Sequence, residues 1–216
     1  AGIILTACGE DDSAQTPPIE EWCDIDRPRE DCVFDEPIAI NSPTPEEAGV
    51  LCESKCSELG TVVFSNPTEE VLKALTGYES ISRLAIRNAD DSLRDMEVLS
   101  DFTTINSLTI DGNSGLGSLA GLENLAEVAT TTDDDGNLNG TIEIIDNPNL
   151  KSVSALSNVR SVGLLSIHNN SSLVTIDGFS SLERATNIQI EVNRVLRSIR
   201  GFEKLEDMRN SWIFIE

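Results

Sequence analysis

The sequence predicts a mainly β repeat protein: a parallel β-helix, or solenoid, of about six coils with about 23–24 residues each. Three observations support this fold class. A strand-like segment recurs through the second half of the chain, its copies are almost evenly spaced, and apolar residues fill the same positions in each copy. A period of about 20–30 residues is typical of stacked coils, in which each coil buries its apolar side against its neighbours.

The strand of each copy is centred on an isoleucine, and the five centres are Ile86, Ile110, Ile144, Ile167 and Ile190. They are 24, 34, 23 and 23 residues apart, and a last, partial copy follows 24 residues later at Phe214. The interval of 34 is a normal repeat with about ten to eleven extra residues, most of them within 130–140. The repeat therefore continues through this insertion.

Each copy has two parts. In the first, apolar and polar residues alternate, which indicates a short strand with one buried face. In the second, an apolar residue occurs at every third position, which favours a 3₁₀-like or extended path around the core. The copy that begins at 142 shows the whole pattern in Ile142, Ile144, Asn147, Leu150, Val153, Leu156, Val159 and Val162.

An asparagine follows the strand in four copies, as Asn113, Asn147, Asn170 and Asn193. Because asparagine tolerates left-handed backbone angles and bonds nearby backbone groups, we expect these residues in the turn after each strand. Stacked copies would form an internal ladder of side-chain amides. We therefore interpret the four asparagines as structural residues.

Four segments carry a resemblance to a known family. Three repeats read INSLTIDGNSGLGSLAGLENLAEV, GTIEIIDNPNLKSVSALSNVRSV and GLLSIHNNSSLVTIDGFSSLERA, and NPTEEVLKALTGYESI has the form of a first coil, with a short helix before Gly-Tyr. Over residues 57–216 the chain resembles the receptor L-domain family, a right-handed β-helix of leucine-rich-repeat type. The resemblance implies a binding ectodomain. Generic leucine-rich repeats are the nearest alternative, but their stricter signature is met only partly.

The period-two rule assigns the outward residues of the predicted sheet. Those expected on a ligand-binding face are Arg87, Thr109, Asp111, Glu143, Ile145, Ser166, His168, Gln189 and Glu191. In the family that the chain resembles, this stripe is the surface that faces the ligand.

An enzyme must also be considered, because other β-helices are polysaccharide lyases with clustered carboxylates, a bound cation and a basic residue. Here Asp111, Glu143 and Glu191 are spread one to a coil, which is typical of a solvated face. His168 is the only histidine, and no Ser/His/Asp arrangement can be assembled around it. We therefore expect no catalytic residues and no enzyme activity.

The insertion, TTTDDDGNLNG, is the strongest departure from the repeat. Its Asp133, Asp135, Asn137 and Asn139 are alternate residues in a loop that contains glycine, which resembles a calcium-binding loop, although the EF-hand pattern is incomplete. We expect no cofactor, with calcium at these four residues as the alternative. We also expect the insertion to make partner-specific contacts.

The chain has 15 basic and 38 acidic residues, for a net charge of −23. This excludes a nucleic-acid binder as the default, because phosphate contacts dominate the affinity of such proteins. Anionic lipid surfaces would also repel the chain. We therefore expect protein or glycan partners.

The first residues, AGIILTACGEDD, contain a match to the bacterial lipobox in residues 5–8. We interpret residues 1–8 as the remnant of a lipoprotein signal peptide, with Cys8 as the lipidated residue. Contact with the membrane would be through this lipid anchor alone, since no stretch of about 18 apolar residues is present. The predicted location is the bacterial cell envelope, at the outer membrane or cell surface.

Four further cysteines, an even number in an exported chain, suggest two disulfides with three possible connectivities. They are Cys23, Cys32, Cys52 and Cys56. We favour Cys23–Cys32 and Cys52–Cys56, on proximity alone. Residues 9–50 hold six of the eight prolines and many acidic residues, so we predict a tether there and the β-helix at 51–216.

The sequence thus predicts an exported bacterial lipoprotein whose β-helix recognises a protein or glycan on its sheet face, without catalysis. A structural or adhesive surface protein with no discrete ligand is the alternative. A β-helix carbohydrate-active enzyme is the third, less favoured hypothesis.

Overall fold

The computed structural model describes residues 3–5, 30–34, 38–41, 51, 56–128, 131–206 and 213–215. These residues form a mainly β solenoid of about six turns with little helix, which confirms the predicted fold class. Every strand pairing in its sheets is parallel, because each coil returns the chain to the same face one level further along the stack.

The large sheet contains ten strands within the described residues. In chain order they are β1 (Ile3–Leu5), β2 (Glu30–Phe34), β3 (Ile38–Asn41), β4 (Cys56–Ser65), β5 (Ser80–Arg87), β6 (Thr104–Asp111), β7 (Thr141–Ile145) and β8 (Ser161–His168), then β10 (Arg184–Glu191) and β12 (Ile213–Ile215). The spatial order is β1-β3-β4-β5-β6-β7-β8-β10-β12, with β2 paired beside β3 on β4.

The other side of the coils, which we call the arc, carries short elements. A second sheet pairs β9 (Thr175–Ile176) with β11 (Ser198–Ile199), and 3₁₀ turns occupy Glu97–Leu99 and Ser154–Asn158. This is the tight path predicted from apolar residues at every third position.

The first full coil contains the predicted short helix before Gly-Tyr. Helix α1 (Glu69–Leu72) is capped by Thr68, whose hydroxyl accepts from the Val71 amide, and a 3₁₀ turn continues it through Leu75. The buried Tyr78 follows, and its hydroxyl donates to the Leu51 carbonyl.

A single core runs through the stack, because the register places equivalent apolar residues of successive coils directly above one another. One such row contains Leu84, Leu108, Ile142, Leu165 and Ile188, all of which are buried. The strand centres from Ile86 to Ile190 form the next row, so the repeat frame read from the sequence holds over these five coils.

The sheet begins before residue 51, where we placed its start. Strand β3 lies inside the predicted tether, yet it pairs in register with β4, and Ile38 and Ile40 belong to the buried core. The alternation of Ile38, Ala39 and Ile40 is a strand pattern like that of the repeats, but it stands alone among prolines and acids. Strand β1 lies in the predicted signal-peptide remnant and pairs with β3.

The predicted asparagine ladder is present. Each side-chain oxygen accepts from the backbone amide of the preceding ladder residue: Asn113 donates to Asn147 at 3.0 Å, Asn147 to Asn170 at 3.1 Å and Asn170 to Asn193 at 3.0 Å. Each side-chain nitrogen also donates to a carbonyl of the preceding coil, as from Asn147 to Ile110. The copy without a ladder asparagine has Ala89 there, whose amide still donates to Asn113.

In each turn, the residue with left-handed backbone angles is the one before the ladder position. We had expected the ladder asparagine itself to adopt these angles. These positions have φ near +55° at Asn66, Asn88, Asp146, Asn169 and Val192, and +70° at Gly112. The amide of this residue donates across the coils, as from Asp146 to the His168 carbonyl, and the left-handed turn then points the next side chain into the core. The ladder asparagine needs ordinary backbone angles to face inward.

The last strand differs from its predicted frame by one residue. Ile190 pairs with Ile215 and Ile188 with Ile213, so these two residues are in register with core positions rather than with the outward face. The spacing from β10 to β12 is therefore 25 residues, and Phe214 is in register with Gln189.

We predict that replacement of a ladder asparagine destabilises the protein far more than replacement of a surface asparagine. Asn147→Ala leaves buried amide and carbonyl groups of two coils without partners, and should lower the free energy of unfolding by about 1–3 kcal/mol. The matched control is Asn149→Ala, which removes one exposed bond to the Ser114 carbonyl. Urea unfolding of both variants checks this, and equal losses would contradict it.

Val192 offers a second test, because a β-branched residue is strained at φ of +55°. Val192→Asn should raise the free energy of unfolding by about 1 kcal/mol. The reverse exchange at the equivalent position, Asn169→Val, should lower it by a similar amount. Thermal unfolding of the two variants provides the measurement, and a Val192→Asn variant less stable than the parent would refute the strain.

Candidate functional site

The outward face of the large sheet consists of parallel rows of side chains, one residue to a coil. Two rows contain the predicted binding residues. The row nearer the strand centres is Ala85, Thr109, Glu143, Ser166 and Gln189. The row at the strand ends is Arg87, Asp111, Ile145, His168 and Glu191. All nine predicted face residues therefore lie in two adjacent rows.

The two rows differ in accessibility. Thr109 and Ser166, which both lie beside the longer Glu143 in their row, are only 8% and 9% exposed. The Thr109 hydroxyl donates to Glu143 Oε2 at 3.0 Å, which holds this carboxylate flat against the sheet. A ligand would thus meet the strand-end row and Glu143 first, with the short hydroxyl residues as a floor.

A third row was missed by the sequence analysis. It contains Arg83, Ser107, Thr141, Leu164 and Asn187. Alternation fails here because each long strand bends, and two successive residues between buried positions face away from the core. The signal was a polar pair between two apolar residues, such as Ser82-Arg83 between Ile81 and Leu84.

The insertion interrupts a strand rather than an arc. Glu127 bridges to Thr104 and Ser161 on the neighbouring coils, and Thr141 resumes the pairing with Leu164. Between Ser161 and Leu164 the intact strand has two residues, whereas thirteen lie between Glu127 and Thr141. The eleven additional residues therefore emerge from the middle of the sheet, at the bend.

The described part of the insertion is a small hairpin held by Asp133. Its Oδ1 accepts from the amides of Asp135 and Asn137, at 3.0 and 2.8 Å, and Oδ2 accepts from the Asn137 side chain at 3.0 Å. These bonds lower the pKa of Asp133, the side-chain bond from Asn137 most strongly. Thr132 and Leu138 form an antiparallel bridge, and Asn139 donates to Thr131.

This geometry bears on the proposed calcium ligands. Both carboxylate oxygens of Asp133 serve the turn itself, and the Asn139 side chain is directed to the Thr131 hydroxyl. Among the residues that the structure describes, no group of three or more His, Cys, Asp or Glu side chains could hold a metal ion. Calcium binding by Asp133, Asp135, Asn137 and Asn139 stays a prediction.

The returning arm of the hairpin lies against the sheet. The Leu138 amide donates to Thr186 Oγ1 at 2.9 Å, and the Gly140 carbonyl accepts from Gly163. A Cβ at Gly163 would lie 2.2 Å from the Leu138 carbonyl oxygen, so this close approach requires glycine. The arm thus covers β8 and reaches β10.

Two acceptors near this junction have no partner. Asn137 Oδ1, in the hairpin, and Asn187 Oδ1, next to Thr186, are both shielded from solvent and have no hydrogen-bond partner among the described residues. Buried acceptors of this kind cost free energy until a donor reaches them. Asn137 and Asn187 therefore add a free-energy cost to the packing of the hairpin against the sheet.

The electrostatics of the face are dominated by carboxylates. Partial burial raises the pKa of Asp111, and the carboxylates of Asp146 and Glu143 raise it further, while the Arg87 guanidinium opposes them. Arg83 and Arg87 are both on β5, so the positive charge is at one end of the face. The strands from β6 to β10 carry the carboxylates Asp111, Glu143 and Glu191, and their one cation besides His168 is Arg184, at the start of β10.

Several predicted features lie beyond this geometry. Cys8, Cys23 and Cys52 are outside the described residues, while Cys32 lies in β2 and Cys56 begins the adjacent strand β4. The favoured disulfide pairing stays a prediction. Within the described ranges, no helix is long and apolar enough to cross a membrane.

No protein-family model, curated protein or solved structure matches this chain. The resemblance to the receptor L-domain family therefore stays a prediction, and the function must be argued from the surface itself.

We predict that Asp111 titrates above its ordinary pKa of 3.8. Asp146→Asn should lower this pKa, because it removes a repelling charge, and Arg87→Gln should raise it, because it removes an attracting one. A raised pKa means that the stabilising contribution of this carboxyl is present at low pH and is lost as the pH rises through the folded value. Carbon-detected NMR titration measures all three pKa values, and shifts of opposite sign would refute the arrangement.

Asp133 is expected to behave in the opposite way. Its lowered pKa means that the hairpin is stabilised above the ordinary value of 3.8 and loosens as the pH falls through the folded pKa. Asp133→Ala should abolish the slow hydrogen exchange of the Asn137 amide at neutral pH. Exchange in the matched variant Asp134→Ala should be unchanged, and a fully exchanged amide in the parent protein would contradict the hairpin.

Proposed function

We propose that the outward sheet face, together with the insertion hairpin, binds a protein or glycan partner without catalysing a reaction. The observation that carries this proposal is the position of the insertion. Eleven residues emerge from within a strand, at the centre of the face, and return over β8. A loop placed there interrupts the surface that a ligand would cover, so it gives a repetitive sheet one distinctive feature.

The chemistry of the face supports recognition in preference to catalysis. Glu143 accepts from a neighbouring threonine, the carboxylates lie on different coils, and His168 is flanked in its row by Ile145 and Glu191. Such a surface offers many spaced hydrogen-bonding groups and no converging set of reacting groups.

The setting that we propose is the bacterial cell envelope. The lipobox at Cys8 supports a lipid anchor, and residues 9–29, between Cys8 and strand β2, would separate the solenoid from the membrane. Cys8→Ser in a precursor with a complete lipoprotein signal should move the protein from the membrane fraction to the soluble fraction. Retention in the membrane fraction would refute the anchor.

The deciding experiment is a binding screen of the whole chain against a glycan array and against purified envelope proteins, with and without calcium. A saturable hit should weaken about tenfold or more in Glu143→Lys with His168→Ala. Glu183→Lys, an equal charge reversal at an exposed corner, is the matched control and should bind normally. Binding that all variants share would instead support an adhesive role without a discrete ligand.

A second pair of variants tests the hairpin. Gly163→Ala forces the Leu138 carbonyl off the sheet, whereas Gly117→Ala meets its nearest atom only at 3.8 Å. Gly163→Ala alone should weaken the hit. Calcium dependence that Asp135→Ala abolishes would implicate the loop oxygens, and turnover of a polyuronate by the parent protein would overturn the non-catalytic proposal.

A further inference from the structure

A different surface of the solenoid carries positive charge. In every coil the residue directly after the repeat leucine faces outward on the arc, and these residues stack through backbone bonds such as Arg197 N–H to the Val174 carbonyl at 2.9 Å. The row contains Arg94, Gly117, Lys151, Val174 and Arg197. All but Gly117, which is half-buried, are exposed.

Basic residues are concentrated at the C-terminal end of this row. Segment 193–205 contains Arg194, Arg197, Arg200 and Lys204 against one acidic residue, Glu203, so its net charge is +3 in a chain of net charge −23. At physiological salt the Debye length is about 8 Å, so carboxylates farther away than this are largely screened. The local excess of positive charge therefore determines which partner can approach closely.

The same place holds the exposed apolar side chains. Among the described residues, the large hydrophobic side chains that are exposed are Val174 and Val195, at 44% and 41%. Val174 lies beside Arg197 on the neighbouring coil. Val195 precedes Arg197 by two residues, in a turn in which the Leu196 amide donates to the Asn193 carbonyl. Arginine is enriched at protein contact surfaces, and the centres of these surfaces are more apolar than their rims.

Three cations of this surface have no carboxylate partner among the residues that the structure describes. Lys151, Arg194 and Arg197 form no ion pair with any described residue. Arg94 and Arg200 are different: Asp95 follows Arg94, and Asp177 occupies the position of Arg200 on the neighbouring coil. We therefore define the arc patch as Lys151, Val174, Arg194, Val195 and Arg197.

We propose that the arc patch docks an acidic protein segment that also bears aliphatic side chains. Lys151 and Arg197 are two coils apart, roughly 10 Å, which matches acidic residues about three positions apart in extended chain. The two valines favour a protein over a polyanionic glycan or a nucleic acid, since only the protein brings aliphatic groups to cover them. The patch has no aromatic residue and the chain is strongly acidic, which disfavours an anionic membrane.

This site is independent of the proposed sheet-face function, and separate variants test it. A displayed random-peptide library is selected against the whole chain and against the double variant Lys151→Glu/Arg197→Glu. The parent should enrich peptides rich in Asp or Glu together with Val, Ile or Leu, and the double variant should bind the selected peptides at least about tenfold more weakly. Binding should also weaken as salt is raised.

The control has the same charge change elsewhere. Arg160→Glu/Arg184→Glu reverses two exposed cations at the corner between arc and sheet, and it should bind the selected peptides like the parent. Val174→Ser/Val195→Ser, which keeps every charge, should weaken the aliphatic-acidic peptides severalfold but leave binding of polyglutamate unchanged. Thermal unfolding establishes that each variant is folded.

Three results would overturn the proposal. The first is a selection that enriches no acidic peptides, and the second is equal binding by the patch and control double variants. In the third, no peptide is selected, but the parent protein binds phosphatidylglycerol vesicles or polygalacturonate, and only the patch double variant loses this binding. If Glu143→Lys loses the sheet-face ligand but still binds the selected peptides, the two surfaces are separate sites.

Discussion

The structure depends on one constraint: each coil must find the partners for its buried backbone and apolar groups on the coil above or below. The asparagine ladder meets this constraint at the tightest point, where the chain leaves the strand and turns into the core. The inward amide bonds the next amide, and its nitrogen reaches a carbonyl of the previous coil. Because these bonds repeat from Asn113 to Asn193, successive strands stack in register at about 4.8 Å, and the surface rows have the same spacing.

Stacking explains why the interior was predictable from the sequence. An apolar residue that recurs in register can be buried only if its copies share one core, so Ile86 to Ile190 define the strands before any coordinates are known. The ladder asparagines were found for the same reason. The length of the insertion could be read from the sequence as an excess over the repeat length. The strand that contains it could not be identified, because Glu127 and Val128 continue the repeat pattern without interruption.

Departures from the prediction come from local geometry that periodicity does not encode. Residues as different as Gly112, Asp146 and Val192 share the left-handed position, so no single residue type marks it. The strand bend turns two successive residues outward, which hid the row of Arg83 from the period-two rule. Strand β3 was hidden because a lone strand pattern without a repeat carries little weight among prolines.

The surfaces follow from the same stack, but their chemistry is less constrained than the core. Core positions admit only apolar or ladder residues, whereas outward positions vary from coil to coil, as from Arg87 to Asp111 to Ile145. This freedom places Asp111, Glu143 and Glu191 on the sheet face and the cations Lys151, Arg194 and Arg197 on the arc. One periodic scaffold thereby presents two chemically different surfaces.

The split strand has a consequence for how such a chain can change. The host coil is closed by neighbours on both flanks, at Glu127 and at Thr141, so the intervening segment contributes little to holding the stack together. The entropic cost of a loop rises only with the logarithm of its length. A loop of different length and sequence can therefore replace this one at the same place in the sheet, while the pairing of the flanking residues stays the same.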